Sequence, residues 1–204
     1  MSWTKNISKV EIGTGVTEIG ANTFNGAEAF TSVKIPSSVT GIGVEAFANT
    51  PVKEVDIDDI ESFCNITFGN EAAHPNYNGL CTLKVNGSVC TNLVIPSGVS
   101  SIKSYMFEKF DSINTVTIPQ SVTWIGDNAF YYCSELARVD FGGPCNIGSS
   151  AFSTCTHLRN VYMLTETMEQ VQVKANYPWG LSTGCTIHCK DGNIVVQGGS
   201  GYSS

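Results

Sequence analysis

The chain is short of charge. Asp, Glu, Lys and Arg make up 14% of its 204 residues, and Lys plus Arg number only 11. The formal net charge of −7 sets the chain against a nucleic-acid backbone or an anionic membrane surface as its partner. No run of Lys and Arg offsets that balance. Long apolar runs are missing too, and nothing approaches the ~20 residues of a membrane-spanning helix, so no membrane insertion is expected. The first residues, Met1-Ser2-Trp3-Thr4-Lys5-Asn6-Ile7, lack the apolar centre of a signal peptide. The chain as it stands reads as made in a cytosol, reaching a virion or an extracellular surface by release, or by secretion with a leader since removed. Catalytic signatures are also lacking. No Gly-x-Ser-x-Gly elbow and no phosphate-cradling glycine loop occurs, and the histidines, His74, His157 and His188, are scattered. The expectation is a chain that is not an enzyme, with no catalytic residue and no cofactor.

The cysteines are more numerous: Cys64, Cys81, Cys90, Cys133, Cys145, Cys155, Cys185 and Cys189. Without a signal peptide, buried free thiols are favoured over disulfides. Cys185, His188 and Cys189 fall short of the paired Cys-x-x-Cys ligand sets of zinc sites, so strand packing accounts for them better than a metal. The acidic group Asp56, Asp58, Asp59 and Glu61 lacks the glycine turn of an EF-hand calcium loop and reads as solvated charge. Asn6-Ile7-Ser8, Asn65-Ile66-Thr67 and Asn86-Gly87-Ser88 fit the glycosylation pattern, which matters only in a eukaryotic secretory route.

What the chain has in abundance is repetition. Ile-Gly-x-x-x-Phe occurs at Ile19–Phe24, Ile42–Phe47, Ile125–Phe130 and Ile147–Phe152, and a fifth copy, Ile102–Phe107, has Lys103 in place of Gly. The phenylalanines are spaced 23, 60, 23 and 22 residues apart. Ahead of each lies an apolar pattern with spacing three then two, as in Phe30-Val33-Ile35, Ile113-Val116-Ile118 and Leu136-Val139-Phe141. Side chains two apart share one face of a strand, so each pattern is a short strand with an apolar inner face. Pro36, Pro96 and Pro119 end three of these strands. One such coil cannot bury its own apolar face, whereas stacked coils share one interior. Seven rungs are counted, beginning at Ile7, Phe30, Val52, Cys90, Ile113, Leu136 and Leu158. Cys133 and Cys155 hold the same place in adjacent rungs, near enough for a disulfide. Small buried residues at that place elsewhere, such as Ala27, favour plain packing.

The segment Ile113 to Cys133 resembles, almost throughout, the consensus of BspA-like leucine-rich repeats, and the resemblance covers about residues 7–163. It implies an α/β class fold that is rich in β: a right-handed leucine-rich-repeat solenoid of about seven rungs of 22–23 residues. It also implies roles in adhesion or protein recognition. Residues 1–163 are expected to form the solenoid. The insertion at 58–89 reads as a short helix near Ile60–Asn65 and a hairpin turning at Asn86-Gly87. Residues 164–197 read as a helix-plus-hairpin cap, with Thr165 capping a helix that runs to about Ala175 and ends at Asn176 and Pro178. Residues 198–204 read as a flexible Gly/Ser-rich tail. The insertion resembles one found in repeat proteins of gut bacteria and their phages. Asn176-Tyr177-Pro178-Trp179-Gly180, with Ile187-His188-Cys189-Lys190-Asp191-Gly192, resembles the end module of gut-phage repeat proteins.

A partner would meet the outward positions of the strands. These include Lys34, Asp56, Thr117, Arg138, Asp140 and Tyr162, a mixture suited to a protein or a cell-surface glycan rather than to a polyanion. Trp124 lies between the core positions Val122 and Ile125 and should point outward, with Tyr131, Tyr132 and Tyr105 on the adjacent bend. The functional expectation is a recognition or adhesion module. It would be a virion-associated or host-contact protein of a phage, a secreted bacterial adhesin, or a structural subunit that meets other virion or surface subunits.

Overall fold

In the computed structural model of the protein, residues 7–174, 179–197 and 202–203 are described. The chain divides into two compact units, residues 1–90 and 91–204. The N-terminal unit runs Lys9–Glu11 (β1), Glu18–Ile19 (β2), Ser32–Ile35 (β3), Gly41–Ile42 (β4), Glu54–Ile57 (β5), Ile60–Asn65 (α1), Thr67–Phe68 (β6), Thr82–Val85 (β7) and Ser88–Val89 (β8). Its longer strands pair in the order β1-β3-β5-β7-β8, and its short strands in the order β2-β4-β6. The C-terminal unit runs Asn92–Val94 (β9), Ser101–Ile102 (β10), Thr115–Ile118 (β11), Trp124–Ile125 (β12), Arg138–Phe141 (β13), Asn146–Ile147 (β14), Asn160–Met163 (β15), Met168–Lys174 (α2), Thr186–Cys189 (β16), Gly192–Val196 (β17) and Tyr202–Ser203 (β18). There the longer strands pair as β9-β11-β13-β15-β16-β17-β18 and the short ones as β10-β12-β14. Each unit is thus a stack of coils, in keeping with the solenoid that the repeat implies.

The apolar pattern sets the register. In the N-terminal ladder Val10, Val33, Val55 and Leu83 follow one another strand to strand. In the C-terminal ladder Leu93, Val116, Val139, Val161 and Ile187 do the same. From Val33 onward every one of these side chains is at most 1% exposed. A slip of one residue would turn each column outward, and burying each such side chain stabilises by about 1.5–3 kcal/mol, so the register is strongly specified. Two members of these columns extend the sequence count. Leu83 places the hairpin of the insertion in the ladder as a parallel strand, and Ile187 does the same for the first strand of the C-terminal hairpin. The turn between β7 and β8 is Asn86-Gly87, with φ of 49° and 77°, the left-handed pair that a two-residue hairpin requires.

The third side of each coil is a series of turns that carries its own ladder. The N–H of Phe107 donates to the carbonyl of Ala129 at 2.8 Å, and that of Phe130 to Ala151 at 2.8 Å. The rings of Phe107, Phe130 and Phe152 stack beneath, with centroids 5.4 and 5.3 Å apart. The Trp179 carbonyl accepts from Phe152 N–H at 2.8 Å and closes this ladder. Left-handed backbone at Tyr105, Asn128 and Ser150, and again four residues on at Lys109, Tyr132 and Thr154, turns the chain at equivalent points.

The glycine of Ile-Gly exists for close approach between coils. A Cβ built on Gly43 would lie 2.5 Å from Ala21 N, and one on Gly126 would lie 2.4 Å from Ser104 N. Lys103 occupies this place in the coil of β10, and β10 is the edge strand of its ladder. No earlier coil of that unit stands where its side chain begins.

Other details depart from the sequence expectations. Helix α1 spans Ile60–Asn65 and is capped by Asp59, whose carboxylate accepts from Ser62 N at 2.7 Å. Helix α2 is capped by Thr167 instead of Thr165. Thr167 N–H donates to Gln170 Oε1 at 2.8 Å, and Gln170 N–H donates to Thr167 Oγ1 at 3.3 Å. That reciprocal pair is a capping box, which needs its Gln three residues after the cap. Ala175, Asn176, Tyr177 and Pro178 lie outside the described residues, as does the tail apart from Tyr202–Ser203, which pairs with β17.

Candidate functional site

Parallel strands place alternate side chains outward in rows, so each ladder presents a flat face. The two faces differ in chemistry, and each is described in its own unit.

On the N-terminal face the polar groups are spoken for. Lys9 pairs with Glu11 at 2.8 Å, and Lys84 with Glu54 at 2.7 Å. Ser32 Oγ donates to Glu54 at 3.4 Å. Lys34 lies 3.9 Å from Asp58, and Asp56 accepts from Gly87 N–H at 2.8 Å. Asp58 also accepts from Ser37 N–H at 3.0 Å. Hydrogen bonding to Lys9 holds the Glu11 carboxyl below its ordinary pKa, and the same bond raises Lys9. Lys34 and Asp56, both expected in the partner site, are therefore engaged in local structure. The acidic group behaves likewise, since Asp59 caps a helix and Asp56 and Asp58 hold backbone N–H groups.

The C-terminal face is built differently. Arg138 on β13 forms a two-point contact with Asp140, Nε to Oδ2 at 2.8 Å and Nη2 to Oδ1 at 2.7 Å. This hydrogen bonding raises the Arg138 pKa further and fixes the guanidinium plane. The guanidinium lies over the Tyr162 ring of β15, 4.2 Å from its centroid. On the other side the His188 ring of β16 stacks on Tyr162 at 4.4 Å with planes 12° apart. Three planar groups from three consecutive strands thus form one pile, because the strand spacing of about 4.8 Å nearly matches ring-stacking distance. His188 is held at both nitrogens by side-chain amides, Nε2 by that of Asn160 and Nδ1 by that of Asn193, each at 3.0 Å. Thr117, exposed on β11, lies in register with Asp140.

The structure therefore gathers Thr117, Arg138, Asp140 and Tyr162, four of the nine expected partner-site residues, on one face. It adds His188 and Asn193, which the sequence reading left in the capping hairpin. A signal for His188 was present: Cys185, Ile187 and Cys189 alternate as an inner row, so Thr186 and His188 must face outward. The same alternation keeps His188 from converging with its neighbouring cysteines. Among the described residues no group of three or more His, Cys, Asp and Glu is placed to hold a metal ion.

The aromatic candidates fall on other sides of the coil. Trp124 stands on β12, 48% exposed, in register with Ser101 and Asn146. Tyr131 and Tyr132 lie on the third side, with centroids 6.0 Å apart, and Tyr132 is 42% exposed. The cysteines at the repeat position face inward as thiols. Cys133 Sγ donates to Phe107 O at 3.0 Å, and Cys155 Sγ to Phe130 O at 3.1 Å. Among the described residues no helix is long and apolar enough to cross a membrane.

Known proteins share this repeat. The profile of the BspA type leucine rich repeat region matches residues 1–76 and 86–182, in six copies. The chain is similar to a leucine rich cell surface protein from Faecalibacterium prausnitzii, with 26% identity and a TM-score of 0.48 over 76% of this chain and 47% of that one. It is also similar to a leucine-rich repeat protein from Eubacterium ventriosum, with 22% identity and a TM-score of 0.39 over 78% and 60%. The T. pallidum leucine rich repeat protein is 18% identical, with a TM-score of 0.44 over 85% of each chain. The chain spans about half the length of the F. prausnitzii protein. A search of curated proteins gives no match. With the repeat profile covering most of its length, the chain belongs to the BspA type leucine-rich-repeat family.

Proposed function

We propose that the protein is a non-catalytic recognition module and that its contact surface is the outer face of the C-terminal ladder, centred on Arg138, Asp140, Tyr162 and His188. The observation that carries this reading is the Arg138–Tyr162–His188 pile, fixed at both ends by Asp140 and by the two asparagines. A surface whose side chains are already held loses less conformational freedom on binding. The family's link with adhesion and protein recognition agrees with this role. The resemblance of the sequence at 176–180 and 187–192 to gut-phage end modules favours a virion-associated or host-contact protein as the finer assignment. A secreted bacterial surface adhesin, or a decorating subunit of a larger assembly, would use the same face.

The test is binding of the labelled chain to intact bacterial and host cells, read by flow cytometry, for the parent and for Tyr162→Ala and Trp124→Ala. Loss of binding in Tyr162→Ala alone supports the ladder face. Loss in Trp124→Ala alone moves the site to the side of β12. Parental binding by both variants removes both surfaces from consideration.

A further inference from the structure

We propose that the outer face of the C-terminal ladder takes a neutral, hydroxyl-rich glycan, contacted by Asn160, Tyr162 and Asn193, which His188 holds in position. The proposal rests on the reading of this face as the recognition surface and names the chemistry of its partner.

Charge comes first. The outward residues of the paired strands carry one cation and one anion, Arg138 and Asp140, and these neutralise each other in their two-point contact. An ionic partner would have to break that pair and would gain no new charge balance. The apolar anchors of a protein interface are scarce too. Tyr162 is the aromatic residue such an interface would use, yet both of its ring faces are covered, by Arg138 at 4.2 Å and by His188 at 4.4 Å. The exposed apolar residues of this face are single aliphatic side chains toward its two ends, Val94 on β9, 59% exposed and four strands from β16, and Val195 on β17, 40% exposed.

What remains is neutral and has hydrogen-bonding capacity to spare. A neutral imidazole has one donor and one acceptor, so of Asn160 and Asn193 one accepts from the His188 ring through its oxygen and the other donates to it through its amide. Each keeps its other side-chain group without a protein partner among the described residues. The Tyr162 hydroxyl has none either, although its ring is clamped. These groups are fixed in place by the pile and spaced by the strand repeat. A sugar ring, whose hydroxyls both donate and accept, satisfies such an array without bringing charge. The N-terminal face shows the contrast, since its polar groups are consumed by internal ion pairs and backbone contacts.

The experiment uses the full chain on an immobilised array of neutral oligosaccharides (gluco-, manno- and galacto-series) and acidic ones (uronate and sulfated). Titration calorimetry with the best neutral oligosaccharide follows, at about 50 and about 500 mM salt, a range that screens exposed charge strongly. The expected result is retention on neutral glycans with a Kd that changes less than about twofold with salt. Asn160→Ala should weaken binding about tenfold, as loss of one or two hydrogen bonds implies, and His188→Ala by a similar factor because it releases both asparagines, with Lys84→Ala unchanged. Tyr162→Phe keeps the pile and removes the hydroxyl, so its smaller loss, about threefold, with an unchanged circular dichroism spectrum, separates contact from folding. An empty array, retention of acidic glycans only, or neutral binding that none of these variants weakens overturns the proposal. If the array is empty while Tyr162→Ala still abolishes cell binding, the glycan assignment fails and the recognition face stands. If cell binding ignores every face variant, both fall.

Discussion

The repeat places glycine after isoleucine in nearly every coil, and the structure assigns that glycine different importance at two neighbouring positions. A Cβ on Gly43 would meet Ala21 N at 2.5 Å, Ala21 Cα at 2.8 Å and Gly20 C at 2.9 Å, all of them backbone. A Cβ on Gly20 would meet only the Thr23 hydroxyl, at 3.5 Å. Neither glycine has positive φ, so an alanine at either is strained by contact and not by conformation. At Gly43 the coils would have to part by close to an ångström against the bond from Gly43 N–H to Ile19 O at 2.8 Å. Overpacking of this kind costs about 1–3 kcal/mol, and backbone neighbours put it toward the upper end. Reduced freedom of the unfolded chain returns about 0.4–1 kcal/mol. The net loss for Gly43→Ala is therefore about 2 kcal/mol, a fall of about 4–8 °C in Tm for a chain of this size. Gly20→Ala keeps only the entropic gain and should be neutral or stabilise by up to about 1 kcal/mol. Urea and thermal unfolding followed by circular dichroism measure both. Equal shifts for the two variants would refute the argument, because sequence context is nearly the same and only the neighbouring coil differs.

Burial raises the thiol pKa well above its ordinary value at Cys133, to about 12 at Cys155 and to about 11 at Cys185. These groups stay neutral in the folded chain, so the stability they contribute is full below the unfolded thiol pKa of about 8.5 and is lost as pH rises toward 11 and 12. Tm should fall above about pH 9, and alkylation of native protein at neutral pH should leave Cys133 and Cys155 unmodified until denaturant is added. Asp59→Ala removes the cap of α1 and should cost about 1 kcal/mol in urea unfolding, with Asp59→Asn recovering most of it. Phe130→Ala leaves a hole between Phe107 and Phe152 and should cost about 3–5 kcal/mol, the largest loss among these variants.

Much of the fold was legible because stacking demands periodicity. The columns through Val33 and Val55, and through Val116, Val139 and Val161, follow from apolar spacing alone, as do the outward rows that hold Arg138, Asp140 and Tyr162. The short helix at Ile60–Asn65 and the Asn86-Gly87 turn were also readable, since each carries a local signal. Leu83 and Ile187 were harder. They join the ladders outside the 22–23 residue period, and only long-range pairing shows that a hairpin strand serves as a rung. The cap of α2 was misplaced because Thr165 and Thr167 are both suitable residues, and the partner Gln170 decides between them.

From its order of residues alone, the chain determined that it would coil, where each coil would turn and which side chains would line the interior, because those properties depend on spacing of a few residues and on glycine, proline and apolar type. Tertiary structure decided which outward residues meet. Arg138, Tyr162 and His188 are 24 and 26 residues apart in sequence, yet form one pile because parallel pairing sets their strands side by side. It also decided that Lys34 and Asp56 are tied to the loops beside them while Arg138, Tyr162 and His188 are piled on one another, since contact distance, and not residue type, settles which outward groups meet.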